Sequence, residues 1–332
     1  MSASDSAYGA ATESAAVFDR SARTRLVVRG RAPGQMLKGV LTGTLPAAPA
    51  PAGEGVLGGR ATYHAVLTPK GMMITDLWCL RPGDEEHDGF VLDVPEAGRE
   101  GLLAHLGRFL PPRMAKGEDV TADTAMITVV GPEAPSLLSR LALGLRVEAA
   151  ELSALEEGEW RCVGPSAVDA LLVVRTREVW PEAFDVLGPV RVVSTLQRAL
   201  EASGMPAAGA DVWTTLRVEA GRPAFGVDMD DTTIPVEAGI HERAIDYKKG
   251  CYTGQEVIVR IRDRGHVNRT LQMVHLGDVA PPTAGTELFE GGVGPEAKPA
   301  GSVTSAVRSP LHGETVALAY VRRGVEGALA PR

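Results

Sequence analysis

The feature that most constrains the fold is a tight turn at residues 68–71, Thr-Pro-Lys-Gly, between two segments of strand composition. Proline at the second turn position and glycine at the fourth are typical of a β-turn, because they suit the backbone angles of the turn. The flanking segments, 63–67 and 72–80, are therefore predicted to pair as an antiparallel hairpin. Alternation along the second strand places four side chains on one face: Met72, Ile74, Asp76 and Trp78. A carboxylate is thus expected among large apolar groups.

Helical patterns are interspersed with strands along the chain. Leucines recur at helical spacing over residues 99–110, and a second helix is expected at 192–203, where Gly204 ends it. Further strands are predicted at 125–130 and 170–174. This mixture of β-hairpins and crossover helices predicts the α+β class. No G-x-G-x-x-G or Walker sequence opens any of these helices, so binding of a nucleotide through a phosphate loop has no support.

The length of 332 residues is large for a single core, and about two domains are expected. Residues 1–15 are small and polar and are predicted to be disordered. The main body is predicted to span residues 16–265, with subdomains at about 16–125 and 126–265. Towards the C-terminus short β segments alternate with Pro/Gly-rich sequence, so residues 266–328 are predicted to form a small domain of β-barrel type.

The composition argues against several classes of function. The net charge of −8 disfavours a general nucleic-acid binder, which needs many contacts to phosphates. No apolar run approaches the roughly eighteen residues that a membrane-spanning helix requires, so no membrane association is expected. The first residues include the acidic Asp5 and Glu13 and lack both a basic segment and an apolar one, and we expect a cytoplasmic protein.

Three cysteines, Cys79, Cys162 and Cys251, are too few and too scattered for a disulfide framework, and their odd number fits a reducing compartment. None of them forms a Cys-x-x-Cys pair, so no single segment can supply a complete metal or cluster site. Any metal ion or cluster would therefore need ligands from a partner protein.

The segment at residues 249–256, Lys-Gly-Cys-Tyr-Thr-Gly-Gln-Glu, is the strongest candidate for a functional site. Gly250 and Gly254 flank Cys251, which predicts a tight turn that leaves the thiol accessible. The next residues, 257–262, have the composition of a strand, so Cys251 is expected at the beginning of that strand.

The local charge around this segment is opposite in sign to that of the whole chain. Residues 243–269 contain seven Lys or Arg and three Asp or Glu, a net charge of +4. Nearby cations favour a thiolate over a thiol, and they would attract an anionic ligand. The residues alone leave a second interpretation open. In it Cys251 is a small buried side chain, and three basic residues form the solvated face of an edge strand: Arg260, Arg262 and Arg264.

Segment 249–256 and the arginines that follow it resemble the signature of the YgfZ family. These are folate-binding relatives of the glycine-cleavage T-protein (aminomethyltransferase) that support the assembly or repair of iron–sulfur proteins. Two other segments resemble family segments, Leu-Arg-Val-Glu-Ala-Gly at 216–221 and Ile-Pro-Val-Glu-Ala-Gly at 234–239. The strand residues 75–77 resemble the T-protein segment that holds its folate-contacting aspartate. The resemblance implies a T-protein-like folate-binding fold with tetrahydrofolate, or a derivative, as the cofactor.

A departure from the T-protein pattern lies at residues 177–185. T-proteins carry a Gly-Tyr-Thr-Gly-Glu segment on the folate pocket, whereas this region reads Arg-Glu-Val-Trp-Pro-Glu-Ala-Phe-Asp. The difference argues against aminomethyl transfer from a lipoyl carrier, while folate binding by an altered pocket stays open.

The resemblance also implies roles for individual residues. Asp76 and Cys251 are the expected catalytic residues, and Cys251 is also the expected ligand of a transient iron–sulfur cluster shared with a scaffold or client protein. Lys249 and the neighbouring arginines would favour its thiolate. Nine residues are expected to contact the folate: Asp76, Trp78, Arg217, Glu219, Lys249, Tyr252, Gln255, Glu256 and Arg260.

The resemblance favours an accessory role in iron–sulfur protein maturation over catalysis. The alternative is a folate-dependent aminomethyl or one-carbon transferase in which Asp76 acts on the folate or on the substrate amine. RNA binding through residues 243–269 is the weakest interpretation, because Tyr247 and Tyr252 are the only nearby aromatic side chains that could stack on bases.

Overall fold

The computed structural model describes residues 3–83, 89–141, 144–164, 169–291 and 298–331. The strands, in chain order, are β1 (Ala16–Asp19), β2 (Thr24–Gly30), β3 (Ala50–Gly53), β4 (Val56–Arg60), β5 (Thr62–Leu67), β6 (Met73–Leu80), β7 (Phe90–Val94), β8 (Ala115–Asp119), β9 (Thr124–Val130), β10 (Glu159–Val163), β11 (Leu171–Thr176), β12 (Ala183–Pro189), β13 (Arg269–Gly277), β14 (Glu287–Glu290), β15 (Gly301–Ser309), β16 (Glu314–Arg322) and β17 (Leu329–Pro331). The helices are α1 (Ala3–Glu13), α2 (Pro33–Lys38), α3 (Arg99–Phe109), α4 (Ala134–Leu141), α5 (Ala149–Ser153), α6 (Val190–Ala202), α7 (Ala210–Glu219), α8 (His241–Ala244) and α9 (Gln255–Arg264). Within the described ranges no helix is long and apolar enough to cross a membrane.

The described strands form three antiparallel sheets. The seven-stranded sheet has the order β1-β9-β12-β11-β10-β4-β3, and one five-stranded sheet has the order β5-β6-β7-β2-β8. The C-terminal sheet, also of five strands, has the order β13-β16-β15-β14-β17. The predicted α+β class, with hairpins, crossover helices and a C-terminal β-sheet region, is confirmed.

Strands β5 and β6 pair as the predicted hairpin. The Thr68 amide donates to the Met72 carbonyl at 2.8 Å, and the Gly71 amide donates to the Thr68 carbonyl at 2.9 Å. Gly71 has a φ of +77°, a value that glycine adopts without steric cost. The strand register places Trp78 opposite Tyr63, so the two rings meet on one face of the sheet.

A hydrophobic layer lies between the seven-stranded sheet and the five-stranded sheet β5-β6-β7-β2-β8, called here the β5–β8 sheet. This layer positions the candidate site. Val27 and Leu80 of one sheet belong to the same buried cluster as Met126 and Leu172 of the other. Helix α3 packs on the β5–β8 sheet, and α4 and α6 pack on the seven-stranded sheet. Strand side chains point alternately to the two faces of a sheet. Polar side chains that point into this hydrophobic layer therefore meet polar side chains from the facing sheet.

The N-terminal segment differs from the prediction of disorder over residues 1–15. Ala3–Glu13 form helix α1, and residues 1 and 2 lie outside the described part of the chain. Ala7 and Ala11 are buried in a cluster with residues of β1 and α7. The local composition misses this helix because its packing partners are distant in sequence.

Residues 257–262 lie in helix α9, so the prediction of a strand there is wrong. Gly254 precedes the helix with a φ of +84°, which lets the chain turn sharply into it. Ile258 is fully buried, whereas Arg260 and Arg262 are exposed. The burial of one side of the helix thus outweighs the strand preference of its β-branched residues, because tertiary packing overrides local propensity.

Candidate functional site

Asp76 is a buried carboxyl on β6, with 8% of its surface exposed. Its Oδ2 accepts a hydrogen bond from the Tyr63 hydroxyl at 2.5 Å, and its Oδ1 has no hydrogen-bond partner among the described residues. Burial raises the pKa of Asp76 to about 6, although the Tyr63 hydrogen bond favours the ionised form. The carboxyl can therefore gain and lose a proton near neutral pH.

An open cleft of about 470 Å³ is lined by Tyr63 and Trp78, whereas Asp76 is not a lining residue and meets the cleft through its hydrogen bond with Tyr63. The two ring centroids are 5.3 Å apart. Arg60 and Glu157 also line the cleft. Its volume lies within the range of roughly 300–1,000 Å³ that is usual for small-molecule sites. The aromatic wall and charged rim suit a flat, partly charged ligand.

Arg243 connects the aromatic and acidic walls of this cleft. Its guanidinium lies 4.6 Å from the ring centroid of Tyr63 and 5.8 Å from that of Trp78. The same group donates to Glu157 at 2.5 Å and to Glu178 at 3.0 Å. Burial acts to raise the pKa of Glu178, but the charge and hydrogen bond of Arg243, together with the charges of Arg222 and Arg23, outweigh it and lower that pKa. The ion pair thereby joins segment 177–185 to the Tyr63–Asp76 pair.

A smaller cavity of about 20 Å³ shares Ala61 and Trp78 with the cleft. Asp93 of β7 and Asp185 of β12 both line it. Asp185 accepts a hydrogen bond from the Thr128 hydroxyl at 2.6 Å, and burial raises the pKa of Asp185 to about 6. Asp93 forms an ion pair of 2.8 Å with Arg23. This inner cavity thus combines a paired carboxylate with a protonatable one.

Sequence reasoning did not find Asp93, Asp185, Glu178 or Arg243. Arg243 entered only as one charge in a basic segment, and Asp185 only as the last residue of segment 177–185. Alternation along β12 gives a weak signal for Asp185. It places this carboxyl on the opposite face of the strand from the fully buried Phe184 and Val186. The meeting of these groups from separate elements is a tertiary property.

Arg217 and Glu219 lie outside the linings of the cleft and the inner cavity, and their contact with folate stays a prediction. Arg217 donates to Asp228 Oδ2 at 2.6 Å and to the Ser305 hydroxyl at 2.9 Å. Glu219 accepts a hydrogen bond from the Ser309 hydroxyl. Both residues are buried in this network, which fixes α7 against the C-terminal sheet.

The thiol of Cys251 is exposed, whereas Cys79 and Cys162 are buried. The predicted accessibility of Cys251 is therefore confirmed, and its interpretation as a small buried side chain is wrong. No group of three or more His, Cys, Asp or Glu side chains that could hold a metal ion occurs within the part of the chain that the structure describes. A cluster bound at Cys251 would need ligands from elsewhere.

The loop that carries Cys251 is anchored on the C-terminal side of the thiol. The Thr253 amide donates to the Gly39 carbonyl at 3.1 Å. Gly254 packs so closely on the hairpin turn that a Cβ atom there would lie 2.7 Å from the Thr68 carbonyl oxygen. Tyr252 is buried beneath the loop. The thiol is thus presented from a fixed backbone.

Lys249 connects this loop to the wall of the cleft. Its ammonium donates to three carbonyl oxygens, at 3.1, 2.5 and 2.9 Å, those of Lys38, Leu41 and Gly43. Burial lowers the pKa of Lys249 to about 8. Gly43 lines the cleft, and its amide donates to Nδ1 of His64 at 2.9 Å. Lys249 thus ties the loop to the wall of the cleft, and its contact with folate stays a prediction.

The other predicted contacts fall into two groups. Trp78 lines both the cleft and the inner cavity. Asp76 lies outside both linings, next to Tyr63. Four more predicted contacts lie outside them on the Cys251 loop and helix α9: Tyr252, Gln255, Glu256 and Arg260. The cleft lined by Tyr63 and Trp78, called the Asp76 cleft because Tyr63 bonds to Asp76, is thus separate from the Cys251 loop. Lys249 and Gly43 lie between them.

Comparison with known proteins gives consistent matches over most of the chain. The family described as "GCVT N-terminal domain" matches residues 2–249. An aminomethyltransferase of Rubrobacter xylanophilus is 34% identical, over 81% of this chain and 68% of that protein. One of Corynebacterium jeikeium is 30% identical, over 92% of this chain and 78% of that protein. The crystal structure of glycine cleavage system aminomethyltransferase T from Bartonella henselae matches with a TM-score of 0.77 at 19% identity, over 96% of this chain and 81% of that one, which supports the same fold.

Proposed function

This chain belongs to the family of the GCVT N-terminal domain, and from that premise we propose that it binds a reduced folate and transfers a one-carbon unit beside Asp76. The aminomethyltransferases that it resembles support this class of reaction. The observation that carries the proposal is the state of Asp76. A buried carboxyl with a pKa of about 6 and one oxygen without a partner is suited to exchange a proton with a bound ligand.

The cleft and its surroundings fit tetrahydrofolate or a derivative. A pterin ring is flat, which matches the Tyr63 and Trp78 rings of the cleft wall. The folate tail carries carboxylates, for which Arg60 and Arg243 offer guanidinium groups on the cleft wall. The inner cavity of about 20 Å³ is too small for a pterin, so the ring binds in the cleft of about 470 Å³.

Asp76 acts as the proton-transfer group in this proposal. Bound tetrahydrofolate supplies the nitrogen that takes up the one-carbon unit. Asp76 Oδ1 accepts the proton that a reacting nitrogen releases and returns it to the departing amine. Tyr63 holds the carboxyl in place and stabilises its ionised form through the hydrogen bond to Oδ2. Trp78 and Tyr63 restrict the access of water on the cleft side.

The test is one-carbon transfer by the purified protein, with tetrahydrofolate and an aminomethyl donor, measured as methylenetetrahydrofolate formed. Asp76→Asn keeps the shape of the side chain and removes the base, so turnover should fall by roughly 10²–10⁴-fold while folate affinity is retained. Asp231→Asn, at an exposed position, is the matched control. Folate binding without any transfer, or equal turnover in Asp76→Asn, would reject the transferase proposal.

A second candidate function is support of iron–sulfur protein assembly or repair, and the exposed thiol of Cys251 favours it. The anchored loop holds this thiol at the surface, where a scaffold or client protein could reach it. The resemblance of segment 249–256 to the YgfZ family supports the same role. A cluster would be shared, with Cys251 as one ligand and the partner supplying the rest. The altered segment 177–185 is also consistent with a folate pocket that no longer serves a lipoyl carrier.

Cys251→Ala tests the second candidate in a strain that lacks the protein. The variant should bind tetrahydrofolate as the wild type does and should fail to restore the activity of iron–sulfur enzymes. Thr253→Ala changes a neighbouring side chain of the same loop and keeps the backbone hydrogen bond to Gly39, so it is the control. Full restoration by Cys251→Ala would exclude a role for this thiol.

A further inference from the structure

A second cleft, of about 440 Å³, lies between helix α9 and the C-terminal sheet. Helix α9 contributes Arg262, the loop after it contributes His266, and the end of β16 contributes Arg322 and the adjacent Arg323. Within the described residues this cleft shares no lining residue with the cleft at Tyr63. It is therefore a separate candidate site, named here the α9 cleft.

Basic side chains dominate the α9 cleft. Five of its lining residues are Arg or His, and none of the described residues that line it is Asp or Glu. The chain as a whole carries a net charge of −8, so this is a local reversal of sign. A concave surface with charges of one sign concentrates the electrostatic potential and attracts counter-charged ligands.

Arg322 and Arg323 have exposed side chains on an anchored backbone. Neither guanidinium forms an ion pair with a described residue. Their amides are fixed, because Arg322 N donates to the Ala300 carbonyl at 2.8 Å and Arg323 N donates to the Asn268 carbonyl at 2.9 Å. A ligand could thus recruit two cations whose main chain is already in place.

Two other polar groups belong to the same space. The Arg262 guanidinium lies 4.9 Å from the ring centroid of Tyr247 and pairs with its exposed neighbour Asp263 at 2.6 Å. The Nδ1 atom of His241 is buried and has no hydrogen-bond partner among the described residues. Buried polar atoms are normally satisfied, so this nitrogen is left available for a hydrogen bond to a group outside the described residues.

From this geometry we propose that the α9 cleft binds a ligand of nucleotide size that carries two or more phosphate groups. The volume is typical of a small-molecule site. A phosphate group offers three acceptor oxygens and roughly two negative charges. Three guanidinium groups present more donors than a single carboxylate can accept, so clustered phosphates match the site better. The proposal does not depend on folate binding or on Cys251, because it uses other residues.

Titration calorimetry of the full chain with inorganic tripolyphosphate and with ATP, at low ionic strength, tests the proposal. The wild type should bind both with saturation. Arg322→Gln and Arg323→Gln should each weaken binding by about tenfold, since each removes a charge-assisted contact. Arg308→Gln makes the same change of charge on the same sheet but outside the α9 cleft, and should weaken binding less than about twofold. Thermal unfolding of each variant confirms that these exposed substitutions leave the fold intact.

Several outcomes would overturn the proposal. They are the absence of saturable binding of tripolyphosphate, equal weakening in all three variants, or tighter binding of a glutamate tripeptide than of tripolyphosphate. Competition between ATP and a single-stranded oligoribonucleotide identifies the source of the phosphates. Tighter binding of the oligonucleotide in competition with ATP would overturn the proposal in favour of an RNA site, and tighter binding of ATP supports a free nucleotide.

Discussion

The Tyr63 hydroxyl donates to Asp76 Oδ2 at 2.5 Å, while Asp76 Oδ1 has no partner among the described residues. Burial raises the pKa of both groups, that of Asp76 to about 6. The pair therefore holds one oxygen of a protonatable carboxyl in a fixed position and leaves the other buried without a partner among the described residues. This relationship, between adjacent strands of one hairpin, is the centre of the proposed folate chemistry.

Tyr63→Phe should move the pH dependence of one-carbon transfer to higher pH. The substitution removes a hydrogen bond that favours the ionised carboxyl, so the pKa of Asp76 should rise further above its ordinary value. Carbon-13 NMR of the labelled Asp76 carboxyl measures the same shift without relying on activity. Tyr247→Phe, outside the Asp76 cleft, serves as the control. An unchanged titration of Asp76 in Tyr63→Phe would contradict the role given to Tyr63.

Asp185→Asn should stabilise the protein at pH 7 and flatten the pH dependence of its free energy of unfolding. The pKa of Asp185 is raised from 3.8 to about 6, so the folded state binds this proton more tightly than the unfolded state. The stability from this group is present below about pH 3.8 and is lost as the pH rises through about 6. The gain at pH 7 should be about 1–2 kcal/mol. Urea unfolding between pH 4 and pH 8 measures it, and a variant less stable than the wild type at pH 7 would refute it.

Arg243→Gln should lower the free energy of unfolding by about 1–3 kcal/mol at pH 7, because it leaves Glu157 and Glu178 without their cation. The pKa of Glu178 is held below 4.5, so this stabilisation is present above pH 4.5 and is lost as the pH falls through the lowered value. The difference between variant and wild type should therefore shrink in acid. Arg60→Gln, whose ion pairs lie on the exposed rim of the same cleft, should cost less than about 1 kcal/mol.

Gly254→Ala should destabilise the Cys251 loop. Gly254 has a φ of +84°, and a Cβ atom there would lie 2.7 Å from the Thr68 carbonyl oxygen, so strain and a steric clash combine. We expect a loss of about 1–3 kcal/mol in chemical unfolding and a changed rate of alkylation of Cys251. Gly250→Ala, where no atom lies within 4 Å of the added Cβ, is the matched control and should have little effect. Similar losses in both variants would contradict the anchoring of the loop through Gly254.

Arg217→Lys should lower stability by about 2–4 kcal/mol and leave the affinity for tetrahydrofolate within about twofold of the wild type. Lysine keeps the charge but cannot reproduce the paired contacts to Asp228 and Ser305. Denaturant unfolding and equilibrium folate binding, measured below the unfolding temperature, separate the two effects. A large loss of folate affinity at unchanged stability would restore the role that the sequence resemblance assigned to Arg217.

The sequence by itself determined features whose causes are local. The Pro-Lys-Gly turn at 69–71 specifies the hairpin, since proline and glycine fix backbone angles wherever they occur. Alternation along β6 then predicts that Asp76 and Trp78 share a face with large apolar groups. Gly250 and Gly254 likewise predict an accessible thiol at Cys251, and the motif around it carries the family resemblance that the comparisons support at the level of the GCVT family.

Only the tertiary structure decided which charged groups meet. Arg217 and Glu219 lie in a motif resembling that of the family, yet their partners come from distant elements, including the C-terminal sheet, and they lie outside the cleft lining. Arg243, by contrast, reaches Tyr63 and Glu178, from which it is separated by long stretches of chain. Helix α9 was likewise decided by the burial of Ile258 rather than by the β-branched composition around it. The physical reason is common to all: ion pairing, burial and pKa depend on distances in space, which local sequence patterns do not encode.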